Sequence, residues 1–317
     1  MNKINVDIHC EFGIELVLSV PYAYWLHTQN KLGNVYVAKD MKPFYYFAKD
    51  IYEKYNSRTI DNAAAGLNAL PNNWLHHNSK SMFGENHGIL TKEEQIKANG
   101  VLDYSEWTPP PLKEIHKNNR FIFDKEIVVI NNSYNIEGGG PPTRYFSIEC
   151  LYEMFTYLTE KGYKVIYRRP RHNVLPTEDQ NESNSFKLGD IQDDVEGIGI
   201  INDHDLTKYF EDVILFDDLL EKNSDLSYNT LQCMLYANCN KFISYVGGAG
   251  ILCSYFGGTN IMWLSRGKEI REGYFSKNAY YNKLSDCKII NVLDKEQTFP
   301  HRIENYHTFL KTIKENY

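Results

Sequence analysis

The chain has 317 residues, 42% of them hydrophobic, and a net charge of -7. That is enough apolar material for a buried core, and the length exceeds the ~250 to 300 residues at which single cores divide. The acidic balance and the scattering of Lys and Arg argue against nucleic acid or an anionic membrane surface as the main partner.

Six cysteines, Cys10, Cys150, Cys233, Cys239, Cys253 and Cys287, form no CxxC pair and lie mostly in apolar stretches. They predict buried free thiols, a reducing compartment and no zinc site. No run of about 18 apolar residues occurs, and the start MNKINVDIHC lacks a signal-peptide core, so a soluble, cytoplasmic protein without an integral membrane segment is expected.

In chain order, INVDIHC reads as a strand. A turn at Phe12-Gly13 follows, then an apolar helix to about Thr28 and a second strand over 35–38, the first βαβ unit of a parallel sheet. Residues 60–120 carry turn clusters and the triple proline of EWTPPPLKEI, which predict loops and short helices ending in a linker near 108–124. KEIVVINNSYN opens a new unit as a buried strand, followed by the loop Gly138-Gly139-Gly140-Pro141-Pro142 and an amphipathic helix over 147–161, closed by Gly162. YKVIYRRP is the next strand, 172–189 an exposed polar loop, and GIGIIND a further strand. A helix spans 226–238.

The segment NKFISYVGGAGILCSYFGGTNIMWL then reads as strand, glycine turn, helix, glycine turn, strand. A last amphipathic helix runs over about 301–315. Strands and helices that alternate twice over predict two facing Rossmann-like domains with mainly parallel sheets. The expected division is 1–120, 121–300 and a C-terminal helix at 301–317.

Three features converge on the second unit. A helix that starts at Gly247, Gly248, Ala249 and Gly250 aims its unpaired N–H groups and positive dipole end above the strand's carboxyl end, which suits a diphosphate. The plain alternative is a tight βα turn with no ligand. Arg168 and Arg171 follow a buried strand at the end where open α/β sheets place ligands, and guanidinium groups bind phosphate bidentately. The alternative is an Arg cluster paired with the acidic loop beside it. The helix DLSYNTLQCMLYANC offers Tyr228, Asn229 and Gln232 to a base or ribose. Asn131 and Arg144, at the end of the first strand of this unit and in its Gly-Pro loop, face the same crevice if the sheet is parallel.

The arrangement resembles the GT-B class of glycosyltransferases, in particular sugar-nucleotide-dependent enzymes of the fucosyl- and heptosyltransferase kind. FISYVGGAGILCSYFGGTNIMWL is similar to the strand, small-residue turn, helix and strand that bind the donor diphosphate there. HCEFGIELVLSVPYAYWL is similar to their N-terminal strand, glycine turn and first helix. The resemblance implies that the C-terminal domain binds a UDP- or GDP-type nucleotide-sugar donor, the N-terminal domain binds a glycan acceptor, and reaction occurs between them. No cofactor is implied, the nucleotide sugar being a substrate.

Leaving-group charge on the diphosphate would be stabilised by Arg168, Arg171 and the turn amides without a divalent metal. An inverting attack needs a base, for which Glu11 is the first candidate and Glu15 and His9 the alternates. Their plain readings are a carboxylate at a helix terminus, a helix-surface charge and a core imidazole. Asp203-His204-Asp205 would suit a divalent metal and the metal-dependent GT-A architecture instead, although Asp205 also reads as an N-cap.

No GxGxxG follows the first strand of either unit and no GxxxxGK[ST] occurs, which disfavours nicotinamide- or SAM-dependent chemistry and P-loop kinases. Histidines of the first hundred residues lack ligand-like spacing. The rival from another class is a non-catalytic carbohydrate-binding protein on the same shell, for which 24 Tyr would supply stacking. A transferase that uses another activated donor, such as a pyruvyl group, is a third alternative.

Overall fold

Apolar runs too short for helices make the strands, and the glycines and prolines between them set the turns. The computed structural model describes residues 3–58, 109–136, 142–143, 145–170, 178–179, 189–264, 284–293 and 306–317. Its first unit contains β1 (Ile4–Asp7), α1 (Phe12–Ile14), a π-helical turn (Glu15–Ser19), α2 (Val20–Thr28), β2 (Leu32–Ala38), β3 (Ile51–Tyr55) and the two-residue β4 (Ser57–Arg58). Strands β1, β2 and β3 form a parallel sheet in that order.

The apolar helix expected to about Thr28 is therefore present, with a π-helical turn over Glu15–Ser19 inside it. Pro21 has no N–H to offer the carbonyl of Leu16 five residues back, as a continued π turn would require. That carbonyl accepts instead from Tyr255 Oη at 2.5 Å.

A short helix α3 (Leu112–His116) occupies the stretch expected to be a linker. Lys113 Nζ donates to Asn240 Oδ1 at 2.7 Å and His116 Nε2 lies 3.0 Å from the Pro43 carbonyl, so the connection is fastened on both sides.

The second unit follows as β5 (Ile127–Asn131), the small hairpin β6 (Asn135–Ile136) and β7 (Pro142–Thr143), α4 (Ile148–Glu160), β8 (Lys164–Arg168) and β9 (Glu178–Asp179), which pairs with β4. Then come the hairpin β10 (Gln192–Val195) and β11 (Gly199–Asn202), α5 (Asp203–Leu206), β12 (Val213–Leu215), α6 (Phe216–Lys222) and α7 (Tyr228–Ala237). The chain continues through β13 (Lys241–Tyr245), α8 (Gly248–Ser254), β14 (Thr259–Leu264), β15 (Lys288–Leu293) and α9 (His307–Asn316). Ser147 caps α4 by accepting from Cys150 N at 3.3 Å, and Gly162, with φ +86°, ends it.

Six strands form one parallel sheet in the order β12-β8-β5-β13-β14-β15. Counted along the chain this is 3-2-1-4-5-6, the doubly wound order, which reverses direction between β5 and β13. The α/β class with mainly parallel sheets expected from the sequence is the one observed.

Both faces are buried, as parallel sheets require. Val128, Ile130, Val165, Tyr167, Ile243 and Trp263 pack on the side of α4 and α9. Val129, Ile166, Phe242, Met262 and Leu264 belong to a second cluster that continues without a break into Val6, Ile8, Val35 and Val37 of the first sheet. The two units thus share one core.

Candidate functional site

At the reversal point the carboxyl ends of three strands come into register. Asn131 of β5 pairs with Arg168 of β8 on one side and with Ser244 of β13 on the other. By strand alternation they continue the face formed by Val129, Ile166 and Phe242, beneath α7 and α8.

Arg168, 8% exposed, donates from Nη1 to Asn131 Oδ1 at 3.2 Å, and its guanidinium carbon lies 5.4 Å from the centre of the Tyr228 ring. Tyr236 Oη donates to the same Asn131 oxygen at 2.6 Å and accepts from Gln232 Nε2 at 3.0 Å. Asn131 Nδ2 reaches Cys253 Sγ of α8 at 3.1 Å. Every one of these partners is neutral, and no carboxylate pairs with Arg168 among the described residues. Two polar atoms, Arg168 Nε and Gln232 Oε1, are buried without a hydrogen-bond partner there. A buried cation held by neutral groups is costly unless an anion completes it.

Beyond β13 the backbone turns at Gly247, whose φ of +138° excludes most side chains, and α8 begins at Gly248. Gly250 has a different task. A Cβ there would stand 2.4 Å from the Tyr245 carbonyl oxygen, so glycine is what lets α8 lie against its own strand. Gly247, Gly248 and Ala249 are half-buried at the joint between the units. A Cβ on Gly248 would lie 3.0 Å from Phe12 Cδ1, and one on Gly13 would lie 3.5 Å from Gly248 Cα. The glycine turn of the second unit and the Phe12-Gly13 turn of the first are thus pressed together.

The three acid–base candidates have separate fates. Glu11 is exposed at the start of α1, directly before Phe12. Glu15 is fully buried and not a helix-surface charge: Arg58 Nη1 donates to Oε2 at 2.5 Å and Tyr45 Oη to Oε1 at 3.0 Å. Arg58 also reaches the Cys10 carbonyl at 3.1 Å and lies over the Phe12 ring at 5.2 Å, so this pair braces the turn from below. His9 is half-buried, stacked on Tyr55 with centroids 4.2 Å apart, its Nε2 3.1 Å from the Ser57 carbonyl. It is not a core imidazole.

Asn229 does not join the cluster around Arg168. Its side chain and its N–H both go to Asp40 of the first unit. Arg144 and Arg171 lie outside the described residues, as do 137–141 of the Gly-Pro loop and most of the polar stretch 172–189.

Arg169, next to Arg168, points the other way into an ion pair with Asp203, whose carboxylate also accepts from Tyr167 Oη at 2.6 Å. Asp190 Oδ1 accepts from Arg169 Nη2 at 2.6 Å. Asp203 is fully buried, and the N-cap of α5 is Asn202, which accepts from Asp205 N at 2.7 Å. Asp205 is thus not the cap that its sequence position suggested, and Asp203 is committed to Arg169 and Tyr167.

The cysteines are unpaired, and five of the six are buried. Burial pushes the thiols of Cys239 and Cys287 up to about 12, so both stay protonated near neutral pH.

Comparison with protein-family models gives no match, and comparison with curated proteins gives no significant one. Among solved structures, the chain is similar to one described as "the glycosyl transferase family 9 from Veillonella parvula DSM 2008", at 11% identity and a TM-score of 0.44, over 99% of this chain and 91% of that one. Likeness at that level says nothing of substrate or chemistry.

Of the residues singled out from sequence, the structure brings together Asn131, Arg168, Tyr228 and Gln232. It adds Tyr236 and Cys253, which sequence reasoning missed. Tyr236 stands one helical turn after Gln232, so helical spacing was a usable signal for it. Ser244, in register with Asn131, sends its hydroxyl to Asn260 Oδ1 at 2.9 Å. For Asp40 there was no such signal, because its partner lies 189 residues away.

Proposed function

We propose that this chain transfers a sugar from a nucleoside-diphosphate sugar to a glycan hydroxyl, with inversion and without a divalent metal. The observation that carries the reading is the buried guanidinium of Arg168, held by neutral Asn131 and Tyr228 at the reversal point of the doubly wound sheet. Open α/β sheets bind ligands at that crevice, and the phosphates of a nucleotide carry the charge that would complete such a cation.

Cleavage of the sugar–phosphate bond leaves negative charge on the diphosphate. Arg168 and the first-turn amides after Gly247 would stabilise it through fixed donors that need no reorganisation. The engagement of Asp203 by Arg169 and Tyr167 supports the metal-free form, since the Asp203/Asp205 alternative needs that carboxylate.

Glu11 is the base in this reading. It is exposed, and it precedes the Phe12-Gly13 turn that abuts Gly248. Glu15, shut away with Arg58, and His9, stacked on Tyr55, are placed to hold the turn rather than to meet a hydroxyl.

The test is thermal stabilisation of the protein by UDP, GDP, CMP and their sugar conjugates, first in EDTA and then with manganese. The expected result is a melting shift with one nucleoside diphosphate in EDTA, and release of that nucleotide when the matching sugar conjugate meets an acceptor. Glu11→Gln should keep the shift and lose turnover by ~10² or more. A shift that needs manganese would return weight to Asp203 and Asp205. Saturable glycan binding without nucleotide release would make this a carbohydrate-binding protein.

A further inference from the structure

The joint between the two units contains a reciprocal pair that the chemistry above does not use. Asp40, in the turn after β2, sits in the left-handed region with φ +64° and is 8% exposed. Asp is one of the few non-glycine residues that adopt that conformation, and here a partner from the other unit fixes it.

The enforcing partner is Asn229. Its N–H donates to the Asp40 carboxylate at 2.7 Å, and its Nδ2 donates to the Asp40 carbonyl at 2.8 Å. Asn229 is the second residue of α7. Within its own unit that helix is capped by Ser227, which accepts from Thr230 N at 3.3 Å. The orphan donors of the first turn are therefore divided between the two units. The next residue back is Tyr228, whose ring faces Arg168, and one turn on is Gln232, which is linked through Tyr236 to Asn131.

We propose that Asp40 is a positioning residue for the anion site. By gripping the first turn of α7 from the opposite unit, it sets where Tyr228 and Gln232 stand against Arg168. The inference rests on the reading of Arg168 as a diphosphate contact. It goes further by assigning control of that contact to a residue of the unit that would carry the acceptor. Asp40 acts through Asn229 and Tyr228 and need not touch the ligand.

Three variants of the full chain test it by titration with UDP, GDP and inorganic pyrophosphate. Asp40→Gly accepts the left-handed backbone freely and deletes the carboxylate. Asp40→Asn keeps an acceptor oxygen and tolerates the same φ. Asn229→Ala removes the other half of the pair and leaves Asp40 in place.

Asp40→Gly and Asn229→Ala should each weaken binding about 2- to 30-fold, the range of coupling carried by contacts of this kind. Asp40→Asn should stay close to wild type, a rescue that loss of general stability would not predict. Normal wild-type binding left unchanged in both Asp40→Gly and Asn229→Ala would overturn this inference alone. So would a loss in Asp40→Asn as large as that in Asp40→Gly. If the wild type binds none of the three probes, the donor reading falls and this inference with it.

Discussion

Arg168 is the residue on which stability and binding pull in opposite directions. Its guanidinium is buried with neutral partners, and Nε has none among the described residues. Removing an uncompensated buried charge while keeping volume is often neutral or stabilising. We therefore expect Arg168→Met to melt no lower than wild type without ligand, yet to bind nucleoside diphosphate about 1.5 to 3 kcal/mol more weakly, the range for a hydrogen bond to a charged group. Calorimetric melting and titration on the same samples check both halves, and unchanged affinity would reduce Arg168 to a structural cation. The residue types were legible from the sequence for Asn131, Arg168 and Tyr228, because each ends a strand or opens a helix at the carboxyl edge, and for Gln232, one helical turn after Tyr228. Glu15 was not, since its burial is decided by Arg58, 43 positions away.

Among the elements, α8 depends for its placement on a missing side chain. At Gly250 a Cβ would meet the Tyr245 carbonyl at 2.4 Å and Met262 Cε at 3.0 Å. The backbone contact cannot be relieved by a rotamer change, so the helix must move away from β13. Gly250→Ala should lower stability by about 1 to 3 kcal/mol, the usual cost of overpacking, read from the denaturant midpoint at unchanged slope. Retained stability would mean that α8 can shift freely. This strand–turn–helix–strand unit was readable because the punctuation is local: apolar runs of strand length separated by glycines. By contrast β12, with three residues, carries too little pattern to be recognised. The π turn in the first helix was likewise hidden, since it involves Pro21 and a remote donor, the Tyr255 hydroxyl.

At the level of the whole molecule the two sheets behave as parts of one body, because the cluster around Val129 and Phe242 continues into Val6 and Val35. The joint has a titratable member. Burial raises the Asp40 carboxyl above its ordinary 3.8, against hydrogen bonds from Ser227 and Asn229, with Glu53 adding to the rise and Lys39 opposing it. A folded-state pKa above the unfolded value means that the contribution of Asp40 to stability is greatest below 3.8 and declines as pH rises through the folded pKa. Asp40→Asn has no charge to bury. Its melting temperature should match wild type at low pH and exceed it increasingly as pH is raised above 3.8 through the raised folded-state pKa. A difference independent of pH would show that the carboxylate is not desolvated in the joint. Affinity for nucleotide at neutral pH should not follow this stability gain, which separates the electrostatic cost of Asp40 from its grip on α7.

The sequence by itself determined β5, α4, β8, β11, α7, β13, α8, β14 and the last helix of the second unit, the parallel α/β class and several polar residues at the carboxyl ends of its strands. Those properties follow from local periodicity, glycine conformations and the geometry of strand ends, all set within a dozen residues. Strand order, and with it the reversal between β5 and β13, was decided only in the tertiary structure, because hydrophobic strands carry no label for their neighbours. So were the pairing of Glu15 with Arg58, the commitment of Asp203 to Arg169, and the transfer of Asn229 from the candidate site to Asp40. In each case the same residue types would serve equally well in a site or in a joint, and what chooses between them is which charge or carbonyl the fold brings within 3 Å, a distance that depends on the whole chain.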